Sequence, residues 1–143
     1  MKRLLLCAAV TFAVIILPTP ERLVAHHAFS AEFDAKKPVK LKGTISKFEW
    51  YNPHSWLYID ATEIDGKPVE DGKAVPWALE FGSSGGLTRL GWRKDSLPVG
   101  EVVTVDAYRA KNGTNTANAR AVLLANGKRL FAGSSVGGAE GPQ

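Results

Sequence analysis

The chain has 143 residues and a formal net charge of +4, from 18 Lys and Arg against 14 Asp and Glu. Its basic residues are scattered rather than gathered into a dense stripe, which excludes nucleic acid as an expected partner. Met1 and Cys7 are its only sulfur-bearing residues, so the rest of the chain has neither disulfides nor soft metal ligands.

The first predicted element is a secretory signal peptide over residues 1–25. Lys2 and Arg3 give it a basic start, and Leu4 to Leu17 is apolar apart from Thr11. Pro18 and Pro20 break any helix, and Leu23-Val24-Ala25 offers a small residue at the cut. The apolar stretch is shorter than the ~20 residues that a helix needs to cross a bilayer, so no membrane span is expected after cleavage. The mature chain then begins at His26 with 118 residues, enough for one domain around a single core, 26–132. Lys2, Arg3, Arg22 and Glu21 leave with the signal, and the net charge falls to +2. The expected location is the periplasm or the exterior.

Residues 26–37 lack periodic apolar positions and are predicted to form an extended arm, pinned by Phe29 and Phe33. Val39 to Tyr51 is a long strand whose apolar parity changes. Leu41 and Ile45 share one face, Phe48 and Trp50 the other, so a bulge is expected near Ser46 or Lys47. Ser55 to Ala61 alternates as a second strand, and Val75 to Phe81 as a third with Trp77, Leu79 and Phe81 on its inner face. Ser83-Ser84 can cap a short helix over Gly85 to Leu90, which Gly91 ends. Strands follow at Glu101 to Ala110 and Ala117 to Ala125, and Asn126-Gly127 turns the chain into Arg129 to Ala132. Residues 133–143, rich in Gly and Ser, are predicted to be a disordered tail. Three strands, a short helix and two or three more strands give an all-β class. The arrangement is a small OB-like barrel of five or six strands, with a small sandwich as the alternative.

Chemistry concentrates in the three histidines, His26, His27 and His54. A mature N-terminus at His26 offers an α-amine, pKa ~8, and an imidazole, pKa ~6.5, both freed near neutral pH. With His54 from the Asn52-Pro53-His54-Ser55-Trp56 turn they make a flat nitrogen set of the kind that suits Cu(II), with His27 assisting. Glu32 and Asp34 are candidate oxygen ligands if the arm folds back. The alternative for the pair at 26–27 is a solvated tail, and for His54 a ring that only caps its turn.

Aromatic residues crowd the same region. Trp50 and Trp77 are expected in the core, whereas Trp56 and Tyr58, with Trp92 and Arg93 after the helix, are candidate ligand-binding residues. Glu80 is expected as a solvated carboxylate on the outer face of its strand. No nucleophile elbow, phosphate-binding glycine loop or glycosidase carboxylate pair is present.

His26-His27-Ala28-Phe29, Phe33-Asp34, Gly43-Thr44, Asn52-Pro53-His54-Ser55-Trp56, Trp77-Ala78-Leu79-Glu80, Gly91-Trp92 and Ser96-Leu97 occur in that order. This ordered set resembles a family of exported bacterial proteins carried as a domain of unknown function, over most of residues 26–132. The resemblance implies an envelope location and one β-rich domain, and it brings no activity or ligand.

From the residues themselves, the expected function is an exported binding module that holds Cu(II) and delivers, sequesters or senses it, rather than an enzyme. The alternative is a metal-free module that binds a small ligand or an envelope partner protein through its aromatic face.

Overall fold

The computed structural model describes residues 29–133. The predicted signal peptide, His26, His27 and the predicted tail from residue 134 lie outside the described residues. Seven strands occur in chain order: β1 (Phe33–Glu49), β2 (Trp56–Ile64), β3 (Lys67–Pro68), β4 (Val75–Glu80), β5 (Val102–Ala110), β6 (Thr116–Leu124) and β7 (Arg129–Phe131). The helix α1 (Ser84–Arg89) lies between β4 and β5, and a 3-10 turn (Glu70–Gly72) precedes β4. Among the described residues no helix is long and apolar enough to cross a membrane.

Five strands close into a ring in the order β1, β5, β6, β4, β2, with β1 pairing back onto β2. β4 and β6 run parallel and the other ring pairs antiparallel. The ring and the helix between its third and fourth strands agree with the OB-like, all-β class expected from the sequence. β3 extends β2 as a short hairpin, and β7 extends β6.

β1 makes closure possible because it serves two neighbours. Its register with β2 shifts between Lys42 and Gly43 and again between Ile45 and Lys47, the second at the position expected from the change of parity. Gly43 lies close against the backbone of β2. A Cβ there would strike the Asp60 backbone, so only glycine fits without displacement. β1 begins at Phe33 rather than Val39, because Phe33 pairs with Ala110 of β5. Residues 29–32 ahead of it are helical rather than extended.

Inside the ring, alternation delivers Leu41, Ile45, Leu57, Ile59, Leu79 and Val105 to one buried core. Beyond the bulge, Phe48 turns to the same core and meets Phe81 and Trp92 with ring centroids 5.9 and 6.3 Å apart. The Ser83 hydroxyl accepts from Gly86 N–H to cap α1, Leu87 of the helix is fully buried, and Gly91 ends it at φ +86°. A second, smaller apolar cluster lies outside the ring. Phe29, Phe33 and Ala110 are buried there against Tyr108, which fastens the arm to β5.

Candidate functional site

The turn carrying His54 is tied to the segment that ends β4 and starts α1. Ser55 is fully buried, donates its N–H to Gly82 O at 3.0 Å and accepts from Phe81 N–H at 2.8 Å. Its hydroxyl donates to Tyr51 O at 3.2 Å and accepts from Tyr51 N–H at 3.3 Å. Ser84 closes the other side, donating its N–H to Tyr51 O and its hydroxyl to Asn52 Oδ1, both at 3.0 Å. The Asn52–Pro53 peptide is cis. A short polar turn is thereby held as firmly as a strand pair, and His54 rides on it.

The His54 ring turns Nδ1 toward two acceptors. Phe81 O lies 3.2 Å away and Glu80 Oε1 3.4 Å away. A carbonyl oxygen can only accept, so Nδ1 carries the proton and the neutral ring keeps its free lone pair on Nε2. The side chain is 44% exposed while that of Glu80 is only 12% exposed, so the ring sits between a buried carboxylate and open solvent.

Glu80 corrects the sequence reading. Alternation places it opposite Trp77 and Leu79 as expected, yet it is buried rather than solvated. Its register neighbours are Trp56 on β2 and Asn118 on β6, and Asn118 in turn faces Tyr108 on β5. These four residues form one row across the outside of the ring, and the arm lies against it, with Phe29 stacked edge-on against Tyr108 at 6.0 Å. Asn118 donates from Nδ2 to Glu80 Oε1 at 3.2 Å, and its own buried Oδ1 has no partner among the described residues. Burial pushes the Glu80 carboxyl above the usual carboxylate range and the charge of Glu32 pushes it further, while His54 and the Asn118 amide hold it back.

The other sequence candidates divide. Trp56 starts β2 directly across from Glu80, half-buried on the outer row. Tyr58 shares its face but is already engaged, donating its hydroxyl to Glu49 at 3.1 Å with Lys47 over its ring. Burial raises the Tyr58 phenol, and the Glu49 carboxylate raises it further. Trp92, expected at a ligand surface, is instead a core residue at 1% exposure. Its indole N–H is spent on Phe131 O at 2.7 Å, because the chain after α1 folds inward. Arg93 faces solvent beside Asp95 at 3.4 Å. Trp77 fills the core as expected, with the Arg109 guanidinium 5.3 Å above its ring.

Among the described residues no three potential metal-binding side chains converge. A metal at His54 Nε2 would therefore draw its remaining donors from outside them, and His26 and His27 are the remaining histidines of the chain. Sequence reasoning missed Glu80 and Asn118 as members of the site. For Asn118 one signal was present, a single amide flanked by Ala117 and Ala119.

A family model described as a family of unknown function (DUF6152) matches residues 15–119. No curated protein and no solved structure matches the chain.

Proposed function

The chain belongs to this family of unknown function, DUF6152, and we propose that it is an exported module that binds Cu(II) through His26, His27 and His54. One observation carries the reading: the His54 ring turns Nδ1 toward Phe81 O and Glu80, which directs Nε2 away from both acceptors. Metal-bound imidazoles are oriented in this way, with the second nitrogen donating to a carbonyl or carboxylate that fixes the tautomer and raises ligand basicity. Glu80 would stand behind the ring as its orienting group.

The path of the arm supports the same reading. His26 lies three residues before Phe29, which at full extension is a reach of about 10 Å. Phe29 packs on Tyr108, a member of the row that contains Glu80. The donor set is nitrogen with neighbouring carboxylate oxygen and no sulfur, a combination that favours Cu(II) over Zn(II) in the usual affinity order. Cleavage after Ala25 supplies the amine of His26, and the site is assigned to binding, delivery or sensing of metal in the periplasm.

Titration of the mature protein with Cu(II) tests the proposal. Binding of about one equivalent, tighter than Zn(II) and weakening as pH falls, is expected because imidazole and amine must be deprotonated. One extra residue before His26 should weaken binding sharply, and His54→Ala should change the copper electron paramagnetic resonance spectrum. If both variants give the parent spectrum, copper sits on a loose histidine tail and the proposal fails.

A further inference from the structure

We propose that the cleft between the arm and the outer row of the ring is a binding site for an uncharged oligosaccharide, a function separate from metal binding. The cleft has a volume of about 460 Å³, which falls in the ~300–1,000 Å³ range of small-molecule sites. Trp56, Phe33, Glu32, Lys111, Asn112 and Thr116 supply the lining that matters to the argument.

Its position is the first reason. Trp56 opens β2 directly after the loop that carries His54, and Lys111 and Asn112 belong to the loop between β5 and β6. In five-stranded rings of this kind, the face between these two loops is the one used for oligonucleotides and oligosaccharides. Charge decides between those two ligands. Glu32 and Lys111 carry opposite charges and cancel. Phosphates would meet no net positive field here, whereas binding of a nucleic-acid strand depends on one. An uncharged chain of sugar units has no such requirement.

The lining matches a sugar group by group. The half-buried Trp56 ring, with Phe33 and Ala110 in the same lining, gives an apolar surface for the C–H face of a pyranose through dispersion contacts. Around it stand groups that hydrogen-bond hydroxyls without needing a charged partner. Asn112 is held by Oδ1, which accepts from Thr114 N–H at 3.0 Å and Thr114 Oγ1–H at 2.8 Å, so Nδ2 is the side it offers. Lys111 is held in place by donating to Ser30 O at 2.6 Å, and an ammonium has further donors beyond that one. Thr116 supplies a hydroxyl and Glu32 a carboxylate acceptor. Asn112 and Lys111, already held by their own hydrogen bonds, lose little side-chain freedom on binding, which favours a ligand rich in hydroxyls.

Calorimetry on the mature protein, in buffer containing a chelator, tests the assignment with cellotetraose, maltotetraose, chitotetraose and a short oligodeoxythymidine. At least one neutral tetrasaccharide should give a saturable isotherm, and the oligonucleotide should not compete. Trp56→Ala should weaken that binding by at least about tenfold, equivalent to about 1.4 kcal/mol. Asn112→Ala, an exposed change that spares the fold, should weaken it as well, and Lys128→Ala, exposed and outside the cleft lining, should leave it unchanged. Absence of binding by all three sugars, indifference to both Trp56→Ala and Asn112→Ala, or preference for the oligonucleotide would overturn the proposal. Because no metal is present, failure of the copper assignment would leave these results unmoved.

Discussion

Two buried regions of this molecule are built on opposite terms. Inside the ring, Leu41, Leu57, Ile59, Leu79 and Val105 exclude water through apolar contact, and the strand ladders satisfy the backbone around them. Outside it, Trp56, Glu80, Asn118 and Tyr108 form a row that the arm lies against, where a carboxyl with a raised pKa sits next to an amide oxygen that has no partner among the described residues. The first region has one polar exception, the buried Trp77 indole N–H, which finds no partner among the described residues. The second keeps polar capacity unused at low solvent exposure, an arrangement that costs stability unless something is gained from it. What it gains here is a fixed imidazole at its edge.

The largest test of the contrast is Trp92→Ala, which empties the interior. Loss of a fully buried ring that packs 5.5 Å from Phe81 and donates to Phe131 O should cost about 3–5 kcal/mol in urea unfolding. A cost below about 1 kcal/mol would mean that the chain after α1 is not part of the core. Phe29→Ala acts on the outer region instead. Its ring is buried against Phe33 and Tyr108, so a loss of about 1.5–3 kcal/mol is expected, together with faster amide exchange around Phe33 and Ala110. Unchanged exchange there would show that the arm does not cover the row. Ser55→Ala loosens the turn between the two regions by removing the hydroxyl's two bonds to Tyr51, leaving the Tyr51 N–H without that acceptor while the Tyr51 carbonyl keeps Ser84 N–H, at about 1–3 kcal/mol.

The smallest expected effect is the one most specific to the row. A Glu ordinarily titrates near pKa ~4.3, and burial raises Glu80 above that value. Below the ordinary value, folded and unfolded carboxyls are both protonated and Glu80 carries no penalty. As pH rises from there to the raised folded value, the unfolded chain releases its proton first, so the fold loses stability through that window and holds the loss above it. Glu80→Gln removes the ionisation, so its stability relative to the parent should rise across the same window and then level off. Urea midpoints from about pH 3 to pH 8 measure this. A variant that instead loses ground as pH rises would show that Glu80 is stabilised as an anion.

The ring was legible in the sequence because its instructions are local. The parity change between Ile45 and Phe48 marks the bulge, Ser83 and Gly91 bracket the helix, and Asn126-Gly127 marks the last hairpin. The outer row was only half legible. Alternation assigns Glu80 to the outside, but it says nothing about what covers the outside. That depends on Phe33 finding Ala110 more than seventy residues later, which no local pattern encodes. Trp92 failed for a related reason. Its neighbours Arg93 and Lys94 are charged and exposed, and the inward turn of a single ring among them follows from the packing of Phe48 and Phe81. His54 stood out as a residue, while the clamp through Ser55 that aims it became visible only in three dimensions.

The aim of that ring is the central claim, and its tautomer tests it most directly. Long-range proton–nitrogen correlation spectra of the metal-free protein near neutral pH report which nitrogen is protonated, with His54→Gln assigning the signal. The expected result is a proton on Nδ1, bonded to Phe81 O and Glu80, with a bare Nε2 that shifts when Cu(II) is added. A proton on Nε2 in the metal-free protein would contradict the anchored ring and the metal site built on it.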